Sequence, residues 1–219
     1  LSQATTPAGP RRIGVFGGAF DPPHLAHVAL ARAAIDQLQL DELRVVPTGY
    51  AWHKNRPLSP SDHRLKMALL AFSGLRGVNV DDRELRRAGP SYTIDTLEAL
   101  CQEQPGCVLF LVIGGDQLAA FDKWRRWQDI LRLATVCVAE RLPQVGAAAN
   151  TAAQAPALPG LIPLQFPAMP VSATDIRQRL ASQSHAPGSP PADLRGLVPE
   201  DVARYISEHG LYKALPISI

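Results

Sequence analysis

One stretch constrains the fold more than any other: CVLFLVI, residues 107–113, is a continuous apolar run that stops at Gly114-Gly115-Asp116. A strand with polar residues at alternate positions can keep one face in water, whereas a strand without them has to be covered on both. RRIGVF (11–16), LRVVP (43–47), GVNV (77–80) and ATVCVAE (134–140) are short strand-like runs of related character. Helical patterns separate them. HLAHVALARAAIDQLQL (24–40) places Leu25, Val28, Ile35 and Leu38 at helical spacing. SDHRLKMALLAF (61–72) opens on Ser61 as a cap, a third helix is expected over 91–103, and KWRRWQDILRL (123–133) supplies a fourth. The charged stretch DDRELRRAGP (81–90) reads as a hairpin or loop. Apolar strands alternating with helices predict an α/β chain with a doubly wound, Rossmann-like parallel sheet.

Residues 1–11 read as a flexible tail, 12–212 as a single domain, and 213–219 as a second tail. Two low-complexity inserts interrupt the domain, QVGAAANTAAQAPALPG at 144–160 and SQSHAPGSPPAD at 182–193. PEDVARYISEHG (199–210) has Pro199 at its start, acids in its first turn and Gly210 past its end, so a small C-terminal helical part is expected. The net charge of +2 provides no electrostatic footprint for nucleic acid or an anionic membrane. No spanning apolar run or signal peptide is evident. Cys101, Cys107 and Cys137 have neither metal spacing nor a disulfide framework, which fits half-buried thiols in a reducing cytoplasm. Any phosphate binding must then be local.

Two segments offer it. In GGAFDPPHLAH (17–27), Gly17 and Gly18 end the first strand and remove side chains where backbone could approach a ligand. Pro22-Pro23 start the next helix at about His24, so His24 and His27 share one face of its first turn. Two imidazoles and backbone N–H groups at a helix N-terminus suit the phosphates of a nucleotide. The same residues also fit two structural histidines, or a zinc site with His53 as third ligand. In VSATDIRQRL (171–180), Ser172 and Asp175 form a capping-box-like pair, while Thr174 and Arg177 project from the first turn. That arrangement suits a polyphosphate, and equally an ordinary capped surface helix.

GGAFDPPHLAH resembles the G-G-x-F-D-P-x-H-x-G-H signature of the nucleotidyltransferase superfamily, in the form found in nicotinate-nucleotide adenylyltransferases, with Ala26 replacing the usual glycine. VSATDIRQRL resembles the superfamily's I-S-S-T-x-x-R motif, with Ala173 for the second serine. PSYTIDTL (90–97), IGGDQL (113–118), FDKWRRW (121–127) and YISEHGLY (205–212) extend the resemblance over about residues 12–212, the inserts excepted.

The resemblance implies a Rossmann-like nucleotidyltransferase fold and transfer of AMP from ATP to nicotinate mononucleotide, giving deamido-NAD and pyrophosphate. It implies His24, His27 and Arg177 as the catalytic set, with His27 at the transition state. Gly17, Gly18, Phe20, Asp116, Ser172, Thr174 and Lys54 would bind ATP: Asp116 at a ribose hydroxyl, Ser172 and Thr174 at the β- and γ-phosphates. Lys54, in AWHKNRP, fits a solvated loop lysine equally well. Tyr92, Thr93, Trp124 and Arg125 would bind nicotinate mononucleotide, with Trp124 stacked on the pyridine ring or packed in the core. Mg²⁺ would arrive with ATP, held mainly by phosphates and water. The rival readings are a sister transferase acting on phosphopantetheine, a polyol phosphate or nicotinamide mononucleotide, a silent nucleotide-sensing module, and a redox enzyme, which lacks its G-x-G-x-x-G fingerprint here.

Overall fold

The computed structural model describes residues 9–50, 57–141, 160–183 and 193–213. Lys54, His53 and most of both low-complexity inserts lie outside them. Among the described residues six strands form one parallel sheet: β1 (Arg12–Gly18), β2 (Glu42–Pro47), β3 (Val78–Val80), β4 (Val108–Gly114), β5 (Ala134–Arg141) and β6 (Ile162–Phe166). Their order is β3-β2-β1-β4-β5-β6. The chain therefore builds outward from β1 in one direction, then returns to β4 and builds outward in the other. The switch lies between β1 and β4, where an open α/β sheet leaves a crevice beyond its carboxyl ends.

Alternation along each strand divides the core between the two faces. Phe16, Leu43, Val45, Phe110, Val112 and Cys137 join one buried cluster, and Ile13, Val15, Val46, Leu109, Leu111, Ile113 and Val136 join the other. This is the double coverage that an unbroken apolar run such as 107–113 requires. α1 (Leu25–Leu38) and α2 (Ser61–Phe72) pack into the first cluster, and α4 (Thr93–Glu103) and α6 (Trp127–Leu133) into the second. Between α2 and α4 lies the short α3 (Arg83–Arg86). α5 (Gly115–Leu118) and a 3₁₀ turn (Phe121–Lys123) follow β4, and α7 (Ala173–Gln183) and α8 (Glu200–Glu208) are the last described helices. No helix among the described residues is long and apolar enough to cross a membrane.

Several local expectations change. The buried face of α1 is Leu30, Ala31, Ala34 and Leu38, whereas Leu25, Val28 and Ile35 are only partly covered. Ala31 and Ala34 are fully buried and let the helix lie close to the sheet. Ser61 is the first helical residue of α2 rather than its cap, which is Pro60. Residues 83–86 form a helix where a loop or hairpin was expected. β6 is an additional edge strand, and its position at the edge accommodates Pro163, which has no N–H to donate. The fourth helix begins at Trp127, after Arg126 in the left-handed region (φ 54°), so Trp124 stands on the preceding loop.

Candidate active site

A cleft of about 1410 Å³ opens over the carboxyl ends of β1 and β4. Every candidate residue within the described segments reaches its wall. Gly17, Gly18, Phe20, His24 and His27 come from β1 and the turn into α1, while Tyr92, Thr93, Asp116, Trp124 and Arg125 come from the α4–α6 side. Ser172, Thr174 and Arg177 come from α7, which starts facing the first loop. Lys54 lies outside the described residues.

The two glycines serve different ends. A Cβ on Gly17 would meet nothing within 4 Å, so its backbone faces open cleft. A Cβ on Gly18 would stand 3.0 Å from the Phe20 ring. Phe20 adopts a left-handed backbone (φ 47°) and is 1% exposed. Its ring packs edge-on against Phe16, Phe72 and His27, at centroid distances of 5.5, 5.7 and 5.2 Å. Phe20 thus supports the histidine from beneath, with little of its own side chain available to a ligand.

His24 caps α1 with extended backbone, and its ring stacks on His27 at 3.7 Å. The His24 N–H donates to Nδ1 of His27 at 3.1 Å. Nδ1 is therefore an acceptor, and the proton of the neutral His27 ring resides on Nε2. The first turn offers fewer backbone donors than its position alone implies. Leu25 N–H is bonded to Leu197 O at 2.9 Å, and His27 N–H to His24 O at 2.9 Å. The histidine rings therefore carry more of the donor capacity than a bare helix N-terminus would.

Burial, and then the neighbouring His24, hold the His27 pKa well below the usual imidazole range. In the unfolded chain the ring gains a proton below about pH 6.5, while the folded chain resists protonation to lower pH. The stability due to neutral His27 is thus complete above about pH 6.5 and is lost as pH falls toward the folded value. Denaturant unfolding at pH 7.5 and 5.5 should give a lower midpoint at 5.5, and His27→Gln should narrow that difference. The same drop in both proteins would contradict this assignment.

At the second helix start, Ser172 Oγ–H donates to Asp175 Oδ2 at 2.7 Å and accepts the Asp175 N–H at 3.1 Å, the expected capping pair. Arg177 lies across both loops. Its Nη1 donates to the Asp21 carbonyl at 2.8 Å and its Nη2 to Thr174 Oγ at 3.0 Å.

Asp21, Arg64 and Tyr212 were not singled out in the sequence. Arg64 is 3% exposed, and its guanidinium donates to the carbonyls of Ser59 (3.0 Å), Ala19 (3.1 Å) and Thr48 (2.7 Å). It fastens the first loop to the end of β2 and to the chain entering α2. A signal was present: Arg64 occupies the same helical stripe as Met67, Ala68 and Ala71, and an arginine on an apolar stripe has to be satisfied internally.

The opposite wall carries a different chemistry. The Arg125 guanidinium lies 4.5 Å above the Tyr92 ring, a cation–π contact. Trp124 is half-buried, tilted 42° against Phe121 with centroids 5.2 Å apart, so it both packs and lines the cleft. Beneath this wall Thr96 Oγ–H donates to Glu84 at 2.8 Å, and burial raises the Glu84 carboxyl above its usual range. Asp116 is exposed at the start of α5. Among the described residues no group of three or more His, Cys, Asp or Glu could hold a metal ion, so the zinc reading of His24 and His27 has no third ligand there.

Basic and N–H-bearing groups on one wall, facing aromatic groups on the other, suit a phosphorylated donor opposite a ring-bearing acceptor. The cytidylyltransferase-like family model matches residues 15–179. The probable nicotinate-nucleotide adenylyltransferase of Albidiferax ferrireducens is 52% identical over 203 residues, covering 93% of this chain and 98% of that one. The chain belongs to the nicotinate-nucleotide adenylyltransferase family. A further member, from Bordetella avium, is 43% identical over 93% of this chain and 98% of its own. The fold also matches Plasmodium falciparum nicotinic acid mononucleotide adenylyltransferase solved with NaAD (TM-score 0.74, 17% identity, 92% of this chain and 97% of that one). The same enzyme solved with APC matches at TM-score 0.72 and 18% identity, with the same coverage. At these identities the likeness to solved structures concerns the fold.

Proposed function

We propose that this adenylyltransferase joins the AMP part of ATP to nicotinate mononucleotide, forming deamido-NAD and releasing pyrophosphate. The observation that carries the reading is the meeting of two helix starts, His24–His27 on α1 and Ser172–Arg177 on α7, across one cleft from Tyr92, Thr93 and Trp124. A 5′-phosphate oxygen of the acceptor attacks the α-phosphorus of ATP, and the bond from that phosphorus to the oxygen bridging to the β-phosphate breaks. The attacking oxygen is already anionic at neutral pH, so no general base is needed. Catalysis then consists of positioning and charge stabilisation.

His27 donates from Nε2 to an α-phosphate oxygen as charge grows there, with His24 stacked beside it. Ser172, Thr174 and Arg177 hold the β- and γ-phosphates, so the leaving pyrophosphate departs into donors already in place. Gly17 and Gly18 keep the loop low, Phe20 supports it, and Asp116 receives a ribose hydroxyl. Trp124 stacks on the pyridine ring, with Tyr92, Thr93 and Arg125 around it.

The donor set of the cleft fits a Mg²⁺ ion that arrives on ATP. Its described polar groups are chiefly imidazole, guanidinium, hydroxyl and N–H, and phosphate and water supply the ion's oxygen ligands. Mg²⁺ bound in this way would supply neutralisation of phosphate charge. Three unpaired thiols fit a reducing compartment, and we place the reaction in the cytoplasm.

The test is pyrophosphate release from Mg·ATP with nicotinate mononucleotide, nicotinamide mononucleotide or phosphopantetheine supplied separately. Release with nicotinate mononucleotide well above the other two is expected. Preference for phosphopantetheine, or release with none of the three, would contradict the reading.

A further inference from the structure

We propose that Tyr212 is a positioning residue for Arg177, acting through Asp21; this rests on the reading of Arg177 as a phosphate-binding group. Tyr212 follows α8 and does not line the cleft. Its hydroxyl donates to Asp21 Oδ1 at 2.8 Å. Asp21 is 1% exposed, and its Oδ2 accepts the Ser59 N–H at 3.2 Å. The carboxylate is thus gripped from two sides, by the C-terminal segment and by the chain entering α2. The main-chain carbonyl of the same residue receives Arg177 Nη1 at 2.8 Å, and Arg177 Nη2 reaches Thr174 Oγ at 3.0 Å. Fixing the side chain of Asp21 fixes the direction of its carbonyl, and that carbonyl selects the rotamer of Arg177.

This matters because a long, half-exposed arginine samples several rotamers, and a phosphate that binds it has to select one. A fixed acceptor at Asp21 makes the selection before ATP arrives. Tyr212 is suited to be a lasting donor. Burial, and then the charge of Asp21, push its phenol well above the usual range, so it keeps its proton through neutral and mildly alkaline pH. The C-terminal part braces the first loop a second time, since Leu197 O accepts the Leu25 N–H at 2.9 Å. The loop bearing His24 is thereby tied to residues 197–212 at both its carboxylate and its helix start.

The test is a double-mutant cycle on Tyr212→Phe and Arg177→Ala, with Mg·ATP varied at saturating nicotinate mononucleotide and melting temperatures recorded for each protein. Tyr212→Phe removes one hydroxyl and should lower kcat/KM for ATP about tenfold, mainly through KM. The KM for nicotinate mononucleotide should stay within about twofold of the parent value. In the Arg177→Ala background the same substitution should add little, because the group it positions is gone. Full, multiplying losses in the double variant would mean that Tyr212 acts elsewhere and would overturn the proposal, as would parental kinetics in Tyr212→Phe beside an impaired Arg177→Ala. Parental kcat/KM for ATP in Arg177→Ala would remove the phosphate-binding reading of Arg177 itself, and the proposal with it.

Discussion

His27→Ala should fold like the parent chain and lose about 10²–10³ in turnover, the usual cost of deleting one preorganised donor to a developing oxyanion. The structural cost is small. The ring lies on the cleft wall, and its loss removes its contacts with His24 and Phe20 and leaves the His24 N–H without its Nδ1 acceptor, an effect of about 1–3 kcal/mol that a domain of this size tolerates. The chemical cost is larger, because a neutral ring with its proton on Nε2 provides a donor that needs no reorganisation as charge builds on the α-phosphate. Because that charge builds only in the transition state, kcat should fall further than KM for ATP rises. Steady-state kinetics beside a thermal melt separate the two effects. Turnover near the parent value in a well-folded His27→Ala would remove His27 from the mechanism.

Arg64→Met should lower the melting temperature by roughly 10 °C, although Arg64 is not assigned to any substrate. Its guanidinium satisfies three carbonyls, those of Ser59, Ala19 and Thr48. Each of these part-buried acceptors left without a partner costs about 1 kcal/mol, the low end of the range for buried groups, and in a chain of this size each kcal/mol shifts the melt by about 2–4 °C. Methionine keeps the apolar contact with the neighbouring stripe, so the loss isolates the hydrogen bonds. Arg64→Lys should recover only part of it, since an ammonium lacks the planar fork that reaches separate carbonyls. A calorimetric melt checks both variants. A shift of only a degree or two in Arg64→Met would mean that the loop is held by other contacts.

The parallel sheet was legible because its central strands announce burial on both faces. Nothing polar interrupts 107–113, and the structure divides the alternate residues of β4 between two cores. What stayed hidden has particular causes. Pro163 and Gln165 break the apolar pattern of β6, which reads as a strand only once β5 is there to pair with it. The face of α1 was misjudged because Ala31 and Ala34, its most buried positions, add little to a pattern read from large side chains. The helix at 83–86 looks like a solvated loop in isolation, but Asp81 draws on both Arg44 (3.1 Å) and Arg83 (2.7 Å), and Arg83 also reaches Glu103 (2.9 Å). Arg44 and Glu103 stand 37 and 20 residues from the groups they meet.

The site divides in the same manner. His24 and His27 could be paired from helical spacing and Ser172 and Asp175 from capping chemistry, because both relations are local. Tyr212 acts on Asp21, and Arg64 on the carbonyls of Ala19, Thr48 and Ser59, and most of these partners are distant in sequence. Asp21 lies within GGAFDPPHLAH and Tyr212 at the end of YISEHGLY, and only the fold brings them within 2.8 Å.

Following the label from [α-³²P]ATP tests the central claim most directly, with Mg²⁺ and nicotinate mononucleotide present and the protein in catalytic amount. Direct attack on the α-phosphorus predicts label in deamido-NAD in step with pyrophosphate release, and none on the protein. Label carried by the protein, or pyrophosphate released without labelled deamido-NAD, would contradict it.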